Sequence, residues 1–448
     1  MVFSDESGRM NRLKPPRKQN TSRTRDQYET FPYPERRAEE EDQRLIAGSP
    51  GDWGEVVHFV FGGQDPGENG TPVRILVAGG GTGDAVVMLA QQARDRGANA
   101  EIIYIDLSEA SRKIAEARIA RRGLENVTFV TGSFVDLAAE YGPFDYIDCC
   151  GVLHHLPDPD AGLRALAHSL KPGGGMGLMV YATLGRTGVY HMQEMMQRLS
   201  AEAGGRPRLE TGKALFESLP PTNWLKRNPF VNDHLQGGDA GFYDLLLHQQ
   251  DRAYRVDEVY DFVKQAGLRL QSFVEPLRYD PVIYAANPAI RKQMAGLAPQ
   301  VRHAMAELLA GNITKHIFYV VKAENKTAVP AMTLQGQKAI VKTRTDASAG
   351  QAAAGMIPYL GRIDGAKLAA SVAKSGQIKI NFNGFSVSCK LPPASPAIIS
   401  RIDGVRSFED IRQSFDPVPD APSFYAQLVA LFSVLSAANL MFVRQPGG

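Results

Sequence analysis

The stretch Val73-Arg74-Ile75-Leu76-Val77-Ala78-Gly79-Gly80-Gly81-Thr82-Gly83-Asp84 decides the fold of this chain. Its first half is an apolar run typical of a buried strand. Its second half is a glycine loop, which lets the backbone turn tightly and approach a ligand closely. The amphipathic residues 84–94 predict a helix whose first N–H groups point at the loop. A strand, a glycine loop and a helix in this order predict a nucleotide site at the edge of a sheet.

Apolar runs and amphipathic stretches keep alternating as far as Tyr181. Further strands are predicted at 101–105, 127–130, 144–150 and 176–181, and helices at 108–122 and 159–170. Strands that are apolar throughout, separated by helices, are typical of a parallel sheet covered on both faces. The sequence therefore predicts an α/β fold with a doubly wound, mostly parallel sheet of the seven-stranded type.

Composition excludes several other classes of protein. The 448 residues include 50 Lys and Arg against 48 Asp and Glu, so no overall charge attracts nucleic acid. Three cysteines cannot staple a chain of this size, and no CxxC motif suggests zinc. No apolar run is long enough to span a membrane, and the polar N-terminus lacks a signal core. We therefore expect a cytoplasmic protein without membrane or nucleic-acid partners; its oligomeric state stays open.

The glycine spacing separates two kinds of nucleotide site. A dinucleotide site has the pattern G-x-G-x-x-G/A, and from Gly79 its last position falls on Asp84, whose carboxylate would repel a phosphate. Gly79, Gly81 and Gly83 fit a cofactor without phosphates instead. Asp106, at the end of the second strand, can accept hydrogen bonds from a ribose diol. Because that acid would also serve NAD, an NAD-linked oxidoreductase remains the alternative.

Together these motifs resemble the class I S-adenosylmethionine-dependent methyltransferases over residues 73–181. The matching segments stand in the family's order: the loop 79–84, Asp106, Val130-Thr131-Gly132-Ser133-Phe134, Phe144-Asp145-Tyr146-Ile147, Gly151-Val152-Leu153-His154-His155-Leu156-Pro157-Asp158-Pro159 and Leu170-Lys171-Pro172-Gly173-Gly174. The resemblance implies S-adenosyl-L-methionine as the cofactor. The cofactor contacts that it implies are Gly79, Gly81, Gly83, Asp106, Leu107, Ser133, Phe134, Cys150 and Gly151.

Two positions depart from the pattern of the family. The family commonly has an acid two residues before the first glycine, where this chain has Val77. It often has an acid at the adenine amino group, where this chain has Ser133. The first departure weakens the expected hold on the methionine end of the cofactor. The second makes the Ser133 hydroxyl or the backbone N–H of Phe134 the expected adenine contact.

The resemblance implies in-line methyl transfer to a nitrogen or oxygen nucleophile, with a protein or peptide side chain slightly favoured as acceptor. A bulky metabolite is the alternative acceptor, and a non-catalytic protein that only binds the cofactor is the alternative of another class. Candidate catalytic residues are His154 and His155, after the fourth strand, and His248, four residues after Asp244. Residues 232–250 are similar to the capping segment of bacterial methyltransferases thought to modify proteins. No tight histidine spacing predicts a metal.

Three further features each allow two interpretations. Tyr28, Phe31 and Tyr33 form either an aromatic lid over the cofactor or a strap on the sheet. Arg186 either holds an anionic substrate or is a solvated surface residue. Cys149 and Cys150 lie in a predicted buried strand, where inert packing is favoured over redox chemistry.

The chain divides around this core. The segments predicted are a disordered basic tail (1–27), a lid or strap (28–72), a methyltransferase domain (73–321) with a core (73–181) and a substrate-shaping extension (182–321), a linker (322–355), and a C-terminal module (356–448). The module's alternating residues around Asn383-Gly384 predict a hairpin, and helices follow it. We therefore expect a small winged-helix-like α+β recognition module.

Overall fold

The computed structural model describes residues 22–200, 204–335, 338–344 and 351–446. Its helices are α1 (Ser22–Thr30), α2 (Trp53–Phe59), α3 (Asp84–Arg96), α4 (Glu109–Arg121), α5 (Phe134–Tyr141), α6 (Pro159–His168), α7 (Val189–Ser200), α8 (Gly205–Ser218), α9 (Trp224–Arg227), α10 (Asp233–Gln236), α11 (Gly238–Leu246), α12 (Val256–Gln265), α13 (Pro288–Ala295), α14 (Pro299–Ala310), α15 (Gly365–Ser375), α16 (Ser395–Ile399), α17 (Phe408–Gln413) and α18 (Ala421–Ala437).

The strands, also numbered in chain order, are β1 (Val73–Ala78), β2 (Ala100–Asp106), β3 (Val127–Thr131), β4 (Phe144–Cys150), β5 (Leu170–Tyr181), β6 (Leu268–Phe273), β7 (Lys315–Lys322), β8 (Thr327–Gln335), β9 (Lys338–Arg344), β10 (Gln351–Ala352), β11 (Ile357–Leu360), β12 (Gln377–Phe382), β13 (Phe385–Lys390) and β14 (Met441–Arg444). Seven of them form one sheet in the order β3-β2-β1-β4-β5-β7-β6. Strands β1 to β5 pair in parallel, and β7 runs antiparallel to both of its neighbours. The predicted doubly wound sheet is confirmed.

Both faces of this sheet are buried, as the apolar strands predict. Along β1, Leu76 packs into the cluster on one face, whereas Ile75 and Val77 pack into the cluster on the other. Helix α4 begins where predicted, because the hydroxyl of Ser108 accepts the N–H of Ser111 at 3.0 Å. The strand order reverses between β1 and β4, so a crevice opens at the carboxyl ends of those strands.

The predicted disorder of residues 22–27 is wrong, because they belong to helix α1. Tail residues 1–21 lie outside the described part of the chain. Helix α1 is held over the sheet by α4: the Glu29 carboxylate accepts the backbone N–H of Glu109 at 2.5 Å, and the Ser108 hydroxyl donates to the carbonyl of Tyr28 at 3.2 Å. A carboxylate at the first N–H groups of a helix is favourable because those groups have no partner within the helix.

The predicted linker at 322–355 is also wrong over most of its length. Residues 327–335 and 338–344 form β8 and β9, which pair antiparallel, and β10 joins β9. Met332, Ala339 and Val341 are buried in the same apolar cluster as helix α18. The weak sequence signal has a physical cause: only one side of this small sheet is apolar, so its strands contain few large apolar residues. Residues 345–350 lie outside the described ranges.

The C-terminal module contains the predicted hairpin, β12 and β13, whose turn residues Asn383 and Gly384 have φ of 52° and 93°. Helix α18 buries the predicted apolar face, with Phe424, Leu428 and Leu431 at 2% exposure or less. The structure adds a pairing that the sequence does not indicate, because β11 and β14 are the first and last strands of the module. The comparison with a winged helix remains a prediction.

This module shares a core with the methyltransferase-like domain. The ring of Phe442 packs 5.9 Å from Phe59 and is 1% exposed, and it belongs to the same apolar cluster as β1. Polar contacts join the same surfaces: the Tyr359 hydroxyl donates to the carbonyl of Gly54, and the Asn439 amide donates to Glu55 at 2.9 Å. The two parts therefore fold against each other. Within the described ranges, no helix has both the length and the apolarity to cross a membrane.

We expect Phe442→Ala to lower the free energy of unfolding of the whole chain by about 3–5 kcal/mol, because it empties a site that both domains line. Urea denaturation followed by circular dichroism measures this change. Val405, which is 73% exposed in the same module, supplies the control Val405→Ala. A loss below about 0.5 kcal/mol in Phe442→Ala would contradict a shared core.

Candidate functional site

A cavity of about 390 Å³ lies at the carboxyl ends of β1, β2 and β4, where the strand order reverses. Its floor is the glycine loop, one wall is formed by the ends of β2 and β3, and the other by residues after β4. Helix α1, the segment after it, and α11 close the top. All nine residues implied as cofactor contacts line this one cavity: Gly79, Gly81, Gly83, Asp106, Leu107, Ser133, Phe134, Cys150 and Gly151.

The glycine loop has the backbone that the sequence requires. Gly79, Gly81 and Gly83 have φ of 70°, 53° and 103°, a region that favours glycine. A Cβ on Gly79 would lie 2.6 Å from the side chain of Val152, and one on Gly83 would lie 2.8 Å from the Cβ of Ala115. Any side chain at these positions would therefore push the loop away from the sheet and from a ligand.

Asp106 connects the loop to the end of β2. Its Oδ2 accepts the N–H of Gly81 at 2.8 Å, and its Oδ1 accepts the N–H of Ser108 at 2.8 Å. Burial raises the pKa of Asp106, and these two N–H groups oppose that shift. Each carboxylate oxygen keeps a second lone pair, and the half-buried side chain faces the cavity. Asp106 can therefore accept hydrogen bonds from a diol without breaking the contacts that hold the loop.

Asp84 has a different role from the one expected of it. Arg36 makes two hydrogen bonds to its carboxylate, at 2.8 and 2.7 Å, and Arg118 makes a third at 2.7 Å. Burial alone would raise the pKa of Asp84, but the arginines outweigh burial and lower it. The two arginines compensate the charge of Asp84, so the predicted repulsion of a phosphate is weakened, which leaves the glycine spacing as the feature that disfavours a dinucleotide. Sequence reasoning missed both arginines because they are distant in the chain.

Helix α1 and the segment after it supply two of the three predicted aromatic residues to the cavity. Tyr28 and Tyr33 line it, whereas Phe31 stacks on Tyr243 at 5.0 Å in the apolar core of the cap. The Tyr28 hydroxyl donates to Oδ1 of Asp244 at 2.9 Å, and the Tyr181 hydroxyl donates to Oδ2 at 3.3 Å. Tyr28 and Tyr33 thus lie where the lid interpretation places them, whereas Phe31 packs in the cap and not on the sheet as the strap interpretation requires.

The three candidate histidines cluster, but only His155 lines the cavity. Its Nδ1 lies 3.2 Å from the carbonyl oxygen of Gln250, and because a carbonyl can only accept, this nitrogen donates. The ring of His248 stacks on His155 at 3.9 Å, and its Nδ1 accepts the N–H of Gln250 at 3.1 Å. Burial lowers the pKa of His154 and of His248 well below the usual value, so both are neutral. Although Asp244 and His248 stand four residues apart, no hydrogen bond joins them among the described contacts, and the Asp244 carboxylate accepts from Tyr28 and Tyr181.

The fold brings together possible metal ligands that the sequence keeps apart. His154, His155 and Asp251 form one group, and His155, Asp244 and His248 form another, with ligand atoms within 4.8 Å in each. A metal ion lies in the plane of each imidazole that binds it. The rings of His155 and His248 are only 24° from parallel, so they cannot share one ion in this arrangement. The absence of a metal ion therefore stays a prediction, because histidine spacing along the chain does not show which ligands the fold brings together.

Arg186 is neither a surface residue nor a lining residue of the cavity. It is 3% exposed, and its guanidinium carbon lies 3.5 Å from the centroid of the Tyr181 ring. Its Nη2 lies 3.8 Å from Oδ2 of Asp251. Arg186 therefore supports the Tyr181 ring from behind. Of the two cysteines, Cys149 is buried as predicted, whereas Cys150 is exposed.

Comparisons with known proteins agree with this geometry. Residues 76–176 match the family model described as a methyltransferase domain. An uncharacterized protein of Synechococcus sp. is 34% identical over 252 residues, which cover 55% of this chain and 60% of the relative. A ubiquinone biosynthesis O-methyltransferase of Xanthomonas euvesicatoria is 42% identical over 89 residues, covering 20% of this chain and 36% of the relative. The chain thus spans 60% or less of the length of these relatives.

Among solved structures, PKMT2 from Rickettsia typhi in complex with AdoHcy matches with a TM-score of 0.54 at 13% identity, covering 89% of this chain and 76% of that one. At this identity the match supports the fold alone. The family model confirms the predicted methyltransferase domain over residues 76–176, and the sheet order agrees with the doubly wound fold expected for it.

We expect Asp106→Ala to weaken the binding of S-adenosylhomocysteine by about 10- to 100-fold, because hydrogen bonds to a charged group contribute about 1.5–3 kcal/mol. Isothermal titration calorimetry measures the affinity. Glu101, an exposed acid on the same strand, supplies the control Glu101→Ala, which should bind like the wild type. Equal affinity in Asp106→Ala and the wild type would remove Asp106 from the site.

Proposed function

We propose that this protein transfers the methyl group of S-adenosylmethionine, in line, to a nitrogen nucleophile held between Tyr28, Tyr181 and Asp244. The observation that carries the proposal is that one cavity joins the complete glycine loop and Asp106 to this acidic, aromatic end. The sulfonium of the cofactor makes its methyl group electrophilic, so the protein has to position a nucleophile, exclude water and remove a proton.

In this proposal the cofactor contacts residues that line the cavity near the glycine loop. Asp106 would accept the ribose hydroxyls, and Ser133 with the N–H of Phe134 would contact the adenine. Ser133 precedes α5 without capping it, so its hydroxyl is not used by the helix. The backbone at Cys150 and Gly151 would lie near the transferable methyl group. There, carbonyl oxygens can stabilise positive charge.

The end of the cavity formed by Tyr28, Tyr181 and Asp244 favours an amine over a hydroxyl as the methyl acceptor. The Asp244 carboxyl is 4% exposed, and burial raises its pKa; hydrogen bonds from two tyrosines hold it at the cavity wall. A carboxylate beside aromatic rings attracts an ammonium group, since ring faces bind cations. An amine that arrives as an ammonium is then placed beside His155.

His155 is suited to take the proton that the amine must lose. Because its Nδ1 donates to the carbonyl of Gln250, its Nε2 carries the lone pair. Ligand atoms of His155 and Asp244 lie within 4.8 Å, so a negative Asp244 would stabilise the imidazolium that forms. His248 supports this ring by stacking on it at 3.9 Å between centroids, and the His154 ring packs against it at 4.2 Å, tilted by 58°.

A polar groove along α1 favours a protein or peptide as the source of the amine. Two smaller hollows, of about 300 and 190 Å³, continue the cavity. The first shares Thr24 with the cavity, and the second shares Arg23, Gln27 and Gln249 with the first. Such a path suits an extended chain that inserts one side chain. The alternative acceptor is a small metabolite, favoured by the similarity to O-methyltransferases of ubiquinone biosynthesis.

To test the activity and the class of acceptor, the protein is incubated with methyl-labelled S-adenosylmethionine and a lysate of its host. We expect the label to move into acid-precipitable protein; label in the small-molecule fraction would support the metabolite alternative. Binding of the cofactor without transfer to either fraction would contradict the proposed activity and favour the non-catalytic class.

With the labelled fraction as substrate, we expect His155→Gln to slow transfer by about 10²- to 10⁴-fold, because it removes a general base. Affinity for S-adenosylhomocysteine should change less than twofold. His168, exposed at the end of α6, supplies the control His168→Gln, which should react like the wild type. A normal rate in His155→Gln would exclude His155 as the base.

A further inference from the structure

The cavity contains a carboxyl group, that of Asp148, to which the sequence pattern assigns no role. Asp148 lies on β4, lines the cavity and is 1% exposed. In the parallel pairing of β1 and β4, Asp148 stands directly opposite Val77. Val77 is the position at which the family commonly has an acid, and it lines the same cavity. Adjacent strands lie about 4.8 Å apart, so an acid on β4 reaches the region that an acid on β1 would occupy.

Asp148 differs from the other carboxyl groups of the cavity in having almost no partner. Asp84 has two arginines, Asp106 has two backbone N–H groups and Asp244 has two tyrosine hydroxyls. For Asp148 the described residues provide one long hydrogen bond, from the Tyr146 hydroxyl at 3.4 Å, and no ion pair. A buried carboxylate without a cation is costly unless something bound beside it supplies the charge.

The surroundings of Asp148 leave its cavity side open to a positively charged group of a ligand. Behind it, a Cβ on Gly51 would lie 2.7 Å from Oδ2, so the backbone of that segment closes the rear. The Gly51 N–H points elsewhere, to the Tyr319 hydroxyl at 3.2 Å. The open side faces the glycine loop, where the methionine end of the cofactor would lie.

We propose that Asp148 binds the α-ammonium group of the cofactor and replaces, from the neighbouring strand, the acid that is missing at Val77. This inference depends on the proposed function, because it assumes that S-adenosylmethionine occupies the cavity. It assigns to this chain a cofactor contact that its glycine-loop motif lacks.

Burial raises the pKa of Asp148 to about 8, and the hydrogen bond from Tyr146 opposes the shift only in part. Below that pH the free protein carries a proton on Asp148, and binding an ammonium must release it. Affinity should therefore fall as the pH falls. Tyr146, Cys149 and Cys150 are the titratable groups beside Asp148 on its own strand. The groups that interact with these neighbours are Glu55 on α2, Tyr319 and Lys315 on β7, and Asp84 across the cavity.

The test compares two ligands by calorimetry: S-adenosylhomocysteine, which has the ammonium, and methylthioadenosine, which lacks the whole amino-acid end. We expect Asp148→Asn to weaken binding of the first by about 10- to 100-fold and of the second by less than twofold. In the wild type, the affinity for S-adenosylhomocysteine should rise by up to about tenfold per pH unit from pH 6.0 to 7.5, and Asp148→Asn should abolish that rise.

The exchange variant Val77→Asp/Asp148→Val moves the acid back to β1, and we expect it to recover affinity for S-adenosylhomocysteine to within about fivefold of the wild type. Equal losses for both ligands in Asp148→Asn, or no loss for either, would overturn the assignment. If the wild-type protein binds neither ligand, the proposed function itself fails. That result is distinct from a wild type that binds both ligands without a pH dependence, which would overturn Asp148 alone.

Discussion

The hydrogen bond from the Gly81 N–H to the carboxylate of Asp106 is the contact on which the site depends. It ties the first strand's loop to the end of the second strand and leaves lone pairs of the same carboxylate facing the cavity. The loop can lie this close only because Gly79 and Gly83 lack side chains. Arg118 then holds the loop from behind, donating to the carbonyl of Thr82 at 2.8 Å. Hydrogen bonds within the chain therefore hold this end of the cavity in shape.

Four carboxyl groups line the cavity, and their surroundings give them four roles. Two arginines compensate Asp84, which makes it a structural clamp. Backbone N–H groups hold Asp106, and the remaining lone pairs of its carboxylate face the cavity. Asp148 and Asp244 are buried without a strong cationic partner, and we propose that they meet the ammonium groups of the cofactor and of the acceptor. The segment around Gly51 and Glu55 joins this wall to the C-terminal module, which makes the module part of the scaffold.

The sequence predicts what local pattern and chain order control. Strands β1 to β5 and the cap at Ser108 follow from apolar runs and motif order, and the nine residues that the family resemblance implies as cofactor contacts line one cavity. It does not predict what depends on pairing between distant segments. Arg36 with Asp84, Tyr28 with Asp244 and Val77 with Asp148 become neighbours only through the fold. The sequence does not indicate β8 and β9, because only one side of their sheet is apolar and the pattern has little apolar contrast.

The most direct measurement is a crystal structure of the protein with S-adenosylhomocysteine. The account predicts the ribose hydroxyls within hydrogen-bond distance of Asp106, the adenine beside Ser133 and Phe134, and the ligand's sulfur near Cys150 and Gly151, pointing toward Tyr181 and His155. A ligand bound elsewhere, or a ribose that does not contact Asp106, would contradict it.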